Sequence, residues 1–295
     1  MRGAHPERGI EGSIERDGAI RRGERVTVAC SGGPDSVALA AALGALARPM
    51  DLDLRLIHVN HGVRASARQD ECVAMSVAAA LELPLRVVNL PATAGSEAAL
   101  REERYAALAA AAQGAGSPVV ATAHHAEDQS ETVLLALFRG AGPDGVAGML
   151  PRRPLSAGVD LARPLLRISA AALRRYCHAR GLPYAVDPTN ADVGLRRNAV
   201  REALGALRPL FPGLDEAVAR AAAIAGDEAQ ARSRADLRRL IRARLAREDE
   251  LRDVDFLHVE EAVRALERGA SGSFHMKAGV RLEILHGGIA GIIRG

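Results

Sequence analysis

The stretch Val26-Thr27-Val28-Ala29-Cys30-Ser31-Gly32-Gly33-Pro34-Asp35-Ser36-Val37-Ala38-Leu39 changes character twice. Residues 26–30 are apolar and β-branched, the pattern of a short buried strand. Residues 31–36 turn, and 37–46 are an Ala- and Leu-rich helical run. Gly32 and Gly33 allow a sharp bend and close approach of a ligand to the backbone. Pro34 suits a first helical turn, where its missing N–H is not needed. The free N–H groups of that turn, with the helix dipole behind them, make a seat for phosphate. Ser31 and Ser36 add hydroxyls. Asp35 is discordant, because a carboxylate repels phosphate unless a Mg²⁺ stands between them. The plainer alternative is a strand-turn-helix with Asp35 as a cap. No Gly-Lys-Ser/Thr follows, so the turn is not a Walker A loop.

Outward from this stretch, strands and helices alternate. Strands are expected at 54–59, 85–90 and 118–123, and helices at 66–81, 96–112 (with Ser96 as cap) and 127–139. Such alternation predicts an α/β fold with a parallel sheet, its ligands beyond the carboxyl ends of the strands. Residues 1–24 read as polar and loose. Residues 140–162 read as an irregular connector, 159–165 as a fifth strand, 169–180 as a helix and 187–190 as a turn. After about 207 the pattern becomes helical: 215–247 with a break at Gly226, then 255–268, then a short hairpin at 273–285. The expected division is a nucleotide-binding catalytic domain, 1–207, and a smaller, mostly helical domain, 208–295.

With 295 residues, 48% of them hydrophobic, the chain can bury a proper core. Aromatics are only 2%, which leaves few platforms for stacking bases. The net charge of +3 is a weak sign of an anionic partner. Cys30, Cys72 and Cys177 form no Cys-Xaa-Xaa-Cys pair, which argues against a zinc ribbon and for thiols of a reducing compartment. No signal peptide or membrane-length apolar run is read, so a cytoplasmic protein without a membrane partner is expected.

Three constellations leave the other strands. From 58 to 64 runs His58-Val-Asn60-His61-Gly-Val-Arg64. Asn60, His61 and Arg64 can reach a nucleotide or metal, while His58 points opposite to Val59. From 122 to 132 runs Thr-Ala-His-His-Ala-Glu-Asp-Gln-Ser-Glu-Thr. If a helix spans them, His124, Asp128 and Glu131 share one face, suited to Mg²⁺, to an amine or to proton movement. Acids in a first helical turn are the ordinary reading of Glu127, but not of two adjacent histidines. From 95 to 105, Arg101 and Arg104 offer a phosphate or carboxylate site, or simply pair with nearby glutamates. Residues 151–210 hold eleven arginines against four acids, an excess of seven. That is a solvated face or a surface for polyphosphate or RNA.

In order along the chain stand Ser-Gly-Gly-Pro-Asp-Ser (31–36), His-Val-Asn-His-Gly-Val-Arg (58–64), Gly-Ser-Glu-Ala-Ala-Leu-Arg-Glu-Glu-Arg-Tyr (95–105), Ala-His-His-Ala-Glu-Asp-Gln-Ser-Glu-Thr (123–132), Arg-Pro-Leu (163–165) and Arg-Arg-Asn (196–198). The first resembles the PP-loop of the N-type ATP pyrophosphatases, and the set resembles the tRNA(Ile)-lysidine synthases. The resemblance is strong over about 20–205 and weak beyond. It implies an adenine nucleotide alpha-hydrolase-like domain using ATP and Mg²⁺. Members join free L-lysine to carbon 2 of the wobble cytidine of a tRNA(Ile) with a CAU anticodon. ATP first adenylates the carbon-2 oxygen, and the lysine amine then displaces AMP. By the same resemblance Ser31, Gly32, Gly33, Pro34, Asp35 and Ser36 hold ATP, and His58, Asn60 and His61 line its site. Asp35 takes Mg²⁺, His124 and Asp128 assist adenylation, Glu131 grips the lysine, and Arg104 and Arg197 steady substrate or phosphate. Two departures stand out: Glu127-Asp128 replaces the family's usual acidic pair, and the chain ends before the further C-terminal domain of longer members. How the acceptor end of the tRNA is read, and whether the chain acts as a homodimer, stay open. A tRNA thiolase of the same superfamily is the alternative enzyme, though its cysteine pairs are missing. A GMP-synthetase-like amidating enzyme and a non-catalytic nucleotide-binding module are further alternatives.

Overall fold

The structure, a computed structural model, describes residues 6–60, 67–91, 97–141, 143–185, 195–247, 254, 256–268, 270–277, 279–285 and 288–294. His61, Arg64, the Ser96 cap and the 187–190 turn lie outside the described residues. The chain divides into two compact units, Met1–Ile224 and Ala225–Gly295.

The first unit is built on six strands: β1 (Arg25–Ala29), β2 (Asp53–Asn60), β3 (Leu85–Asn89), β4 (Val119–Ala121), β5 (Arg152–Ser156) and β6 (Val159–Ala162). Their order is β3-β2-β1-β4-β6-β5, parallel except for the antiparallel edge strand β5. Val26, Thr27 and Val28 of β1 are all buried, as befits a central strand covered on both faces. The chain turns one way from β1 to β2, while β4 lies on the other side of β1. That topological switch opens a crevice at the carboxyl ends of β1 and β4.

Helices cover both faces. Helix α2 (Pro34–Ala47) buries Ser36 and every residue from Val37 to Leu43, so it is apolar all round and lies inside the unit. Each large side chain there, such as Leu39 or Leu43, contributes about 1.5–3 kcal/mol by leaving water. Around it pack α1 (Pro6–Asp17), α3 (Ala67–Ala80) and α7 (Ala170–Ala179). The opposite face takes α4 (Glu97–Gly114), whose Leu108, Ala111 and Ala112 meet Ile57, Val120 and Leu161. Side chains alternate along β4: Val119 and Ala121 join the α2 core, Val120 the α4 core. That parity decides the site.

Several elements differ from expectation. Residues 6–17, read as loose, form α1, held by Ile10 and Ile14 four residues apart in the core. Tyr176 Oη and Arg180 Nη2 donate to its Glu11 Oε1 at 2.7 and 3.0 Å. The connector 140–162 contains the short helix α6 (Pro143–Val146) and the β5–β6 hairpin. Arg152 fastens that hairpin through Asp160 and Glu24, each at 2.8 Å. After α5 (Ala126–Phe138), α6 and α7, the chain forms α8 (Leu195–Leu207) and the 34-residue α9 (Leu214–Arg247). Gly226 does not break α9, since one helical glycine costs only about 1 kcal/mol. In the second unit α10 (Phe256–Glu267) buries Val259, Ala262 and Val263 against a three-stranded sheet. Its strands are β7 (Gly272–Lys277), β8 (Val280–Leu285) and β9 (Gly288–Arg294). The expected hairpin therefore has a third strand, β9, antiparallel to β8.

Candidate active site

Between β1 and α2 the backbone wraps around one hydroxyl. Ser36 Oγ accepts from Ser31 N and Ser31 Oγ at 3.1 Å each, and donates to Gly33 O at 2.9 Å. Gly33 is the helix cap and Pro34 opens the first turn, leaving that turn's N–H groups directed outward. Gly32 has φ +90°, and a Cβ there would stand 2.7 Å from Asp70 O. Ala185 N also donates to Gly32 O at 2.9 Å, so the loop is braced from two sides. Gly32→Ala is expected to cost about 1–3 kcal/mol in backbone strain, with further loss from the Asp70 contact. Thermal denaturation beside turnover checks this; a variant with wild-type stability and activity would mean the loop tolerates a Cβ.

Helix α5 starts at Ala126 with the extended residue His125 as its cap, so His124 precedes the helix. The shared helical face expected for His124, Asp128 and Glu131 is thereby corrected. By strand parity His125 falls on the α2 side and His124 on the α4 side. His125 Nε2 lies 3.6 Å from Asp35 Oδ2 and 3.5 Å from Asp128 Oδ2, and its Nδ1 lies 3.0 Å from Glu127 Oε2. Burial opposes charge on this imidazole, but the three carboxylates overcome it and hold the pKa at about 9. Burial raises the pKa of Asp35, with the charged His125 pulling the other way. Asp35 Oδ1 is buried and has no hydrogen-bond partner. Glu127 also accepts from Ala170 N at 2.9 and 3.0 Å, capping α7. This acid thus fixes His125 and a second helix at once.

The raised pKa of His125 gives a pH dependence of stability. Its stabilising charge is fully present below about pH 6.5 and is lost as pH rises through about 9. The loss is on the order of 3 kcal/mol at most. Urea unfolding at about pH 6 and about pH 10 should show this fall in the wild type and a smaller one in His125→Gln. Parallel pH profiles for the two proteins would refute the charge assignment.

On the α4 side the surroundings invert. His124 Nδ1 lies 3.0 Å from Thr122 Oγ1. Burial, then Arg163, Arg101, His125 and Arg197, depress its pKa to about 3, so it stays neutral. The two adjacent histidines therefore carry different charges. His124 suits hydrogen bonding as a neutral imidazole, whereas His125 is a fixed cation among acids. His125 was missed as a site residue; strand alternation, with the helix start placed at Ala126, was the signal.

Glu131, almost fully buried, is occupied by two guanidinium groups. Arg197 Nε donates to Oε2 and Arg201 Nε to Oε1, both at 2.7 Å, and Arg201 Nη2 reaches Oε2 at 3.2 Å. Both arginines lower the Glu131 pKa against its burial. Arg197 Nη2 also lies 3.9 Å from Asp128 Oδ1. The arginine excess of 151–210 is thus partly spent inside the fold, since Arg152, Arg180 and Arg208 are also paired with acids. Next to this clamp, α5 and α8 line a cavity of about 840 Å³ with Leu135, Phe138, Arg139, Arg196 and Val200. The structure brings Ser31, Gly32, Gly33, Pro34, Asp35 and Ser36 into one loop, and His125 links that loop to Asp128. His58 is buried, its Nδ1 2.9 Å from Cys30 O behind the loop, which makes it a brace for the strand end. Asn60 ends β2, and Arg104 is exposed on α4.

The PP-loop domain family matches residues 7–207. Curated relatives carry the name tRNA(Ile)-lysidine synthase. The protein of Salinispora tropica is 45% identical over 203 residues, covering 67% of this chain and 61% of its own length. That of Symbiobacterium thermophilum is 42% identical over 206 residues, but only 42% of its length is covered. The chain thus spans about half the length of these two relatives. That of Thermosynechococcus vestitus is 34% identical over 268 residues, covering 89% of this chain and 77% of its own. Among solved structures, the U34-tRNA thiolase NcsA of Methanococcus maripaludis, with its [4Fe-4S] cluster, shares the fold. Its TM-score is 0.63 at 17% identity, covering 74% of this chain and 77% of that one. Since the family match runs through the loop, both histidines and the Glu131 clamp, the chain belongs to the PP-loop domain family, in its tRNA(Ile)-lysidine synthase branch.

Proposed function

We propose that the chain binds ATP and joins free L-lysine to carbon 2 of the wobble cytidine of a CAU-anticodon tRNA(Ile). The observation that carries this is Asp35, whose buried Oδ1 has no partner although it stands in a loop of phosphate donors. One carboxylate completed by phosphate oxygens suits Mg²⁺, and the described residues hold no three-ligand cluster of their own. Asp35 would hold this ion, whose charge would offset that of the phosphates.

The chain's own groups then divide the work. The outward N–H groups and hydroxyls of 31–36 receive the phosphates, with Asn60 and His61 beside the nucleotide. The carbon-2 oxygen of the cytidine attacks the α-phosphorus, the α–β bond breaks and pyrophosphate leaves. His125 holds Asp35 and Asp128 in place as a cation, while neutral His124 and Asp128 attend the reacting base. Glu131 takes the lysine ammonium in exchange for one of its guanidinium partners. The amine, once deprotonated, adds at carbon 2, and AMP departs with the oxygen. Arg104 and Arg197 steady the phosphate. We place the reaction in the cytoplasm, where three free cysteines stay reduced. Among the described residues no helix is long and apolar enough to cross a membrane.

The test is incubation with ATP, labelled lysine and CAU-anticodon tRNA. Label should enter the tRNA in step with AMP release. AMP release that requires the tRNA but not lysine, with no label incorporated, would exclude lysine transfer.

A further inference from the structure

We propose that Arg101, Arg153 and Arg163 form a seat for one backbone phosphate of the RNA acceptor, beyond the ends of β4 and β6. The inference rests on the proposed reading that the acceptor is RNA. The three come from separate elements and converge by strand parity. Arg163 follows β6 with Leu161, and Arg153 is paired with Leu161 across the hairpin, so both fall on the α4 side. Arg101 is in the first turns of α4, and its Cζ lies 5.5 Å from the Tyr105 ring centroid. The Arg153 Cζ lies 5.8 Å from the same centroid. Burial lowers the Arg163 pKa while Tyr105 acts against that fall, and Arg163 Nη1 donates to Leu150 O at 2.8 Å.

No carboxylate pairs with any of these three arginines among the described residues. Arg163 is only 2% exposed, and its Nε is buried without a partner. Guanidinium groups crowded in this way repel one another, and an oxyanion relieves them by accepting forked hydrogen bonds. Exposure is graded: Arg163 at the base is buried, Arg153 is half-buried and Arg101 is open to solvent. A passing polymer phosphate fits such an open-sided seat better than an enclosed small molecule does. The phosphates of ATP are already provided for by the loop on the α2 side. His124 stands between the two centres, so an RNA strand held here would present a nucleotide to the crevice.

The test compares wild type, R101Q/R153Q and R101K/R153K with a CAU anticodon stem-loop at about 50 to 200 mM salt. The glutamine pair should bind roughly tenfold more weakly, and its log–log salt slope should flatten by about one. The lysine pair should recover the slope but not the full affinity, because an ammonium lacks the fork. The apparent KM for ATP should stay within about twofold in every variant, which also shows that the fold is intact. Unchanged stem-loop affinity and slope would overturn the seat while leaving the proposed function standing. A rise confined to the KM for lysine would reassign it to a carboxylate. Failure of the wild type to bind the stem-loop would overturn the function reading and the seat together.

Discussion

Asp35→Asn is expected to lower ATP-dependent product formation by about 10³-fold while the protein stays folded. Asparagine keeps the shape but cannot neutralise a divalent cation, so the phosphates lose their counter-charge. The fold does not need the carboxylate. Burial raises its pKa, with Asp128 and Glu127 adding to the rise. A raised carboxylate pKa means that the protonated form is favoured in the native state. Its stabilisation is present below the reference value of 3.8 and is lost as pH rises through the native pKa. At neutral pH the ionised side chain is therefore a burden, only partly offset by His125. The variant should be as stable as the wild type, or slightly more so. Pyrophosphate release with the RNA acceptor, measured beside urea unfolding, separates the two effects. Near-normal turnover by a folded Asp35→Asn protein would remove the metal role. Unfolding of the variant would show that Asp35 holds the loop instead.

The fold was legible where several signals coincided. At 26–46 a β-branched run, two glycines, a proline at the helix start and an Ala-Leu run agree, and β1, the loop and α2 lie there. It was obscure where one signal stood alone. Only Ile10 and Ile14 mark the buried stripe of α1, in a segment otherwise polar. Of the β5–β6 hairpin, β6 lies within the strand expected at 159–165, whereas β5 was hidden because it is an edge strand interrupted by a proline, a poor strand former. In the site, one placement depended on a helix boundary. Moving the start of α5 past His125 separates His124 from Asp128 and sends the two histidines to opposite faces. Pairing was the least visible feature. Glu131 and Arg201 are 70 positions apart, and only the packing of α8 on α5 joins them.

Glu131→Gln is expected to weaken the protein by about 2–3 kcal/mol and to raise the apparent KM for lysine about tenfold. Both effects come from one site. The carboxylate is nearly buried and answers Arg197 and Arg201, which are themselves partly covered. Glutamine leaves two guanidinium charges facing a neutral amide, and its NH₂ points a donor at a donor. That loss falls on the α5–α8 contact. It should also remove an acid-sensitive component of stability. The Glu131 pKa is lowered, so its contribution is present above the reference value of 4.5 and lost as pH falls through the native pKa. The substrate effect is separable. A carboxylate that trades a guanidinium for an ammonium loses a charge-assisted contact in the variant, and only lysine senses it. The loop at 31–36, proposed above to take ATP, lies on the far side of His125, so the apparent KM for ATP should change by less than about twofold. The measurements are urea unfolding at neutral and acid pH, with initial rates over separate ranges of ATP and lysine. If the two Michaelis constants rise together, Glu131 is a brace between two helices and the lysine ammonium binds elsewhere.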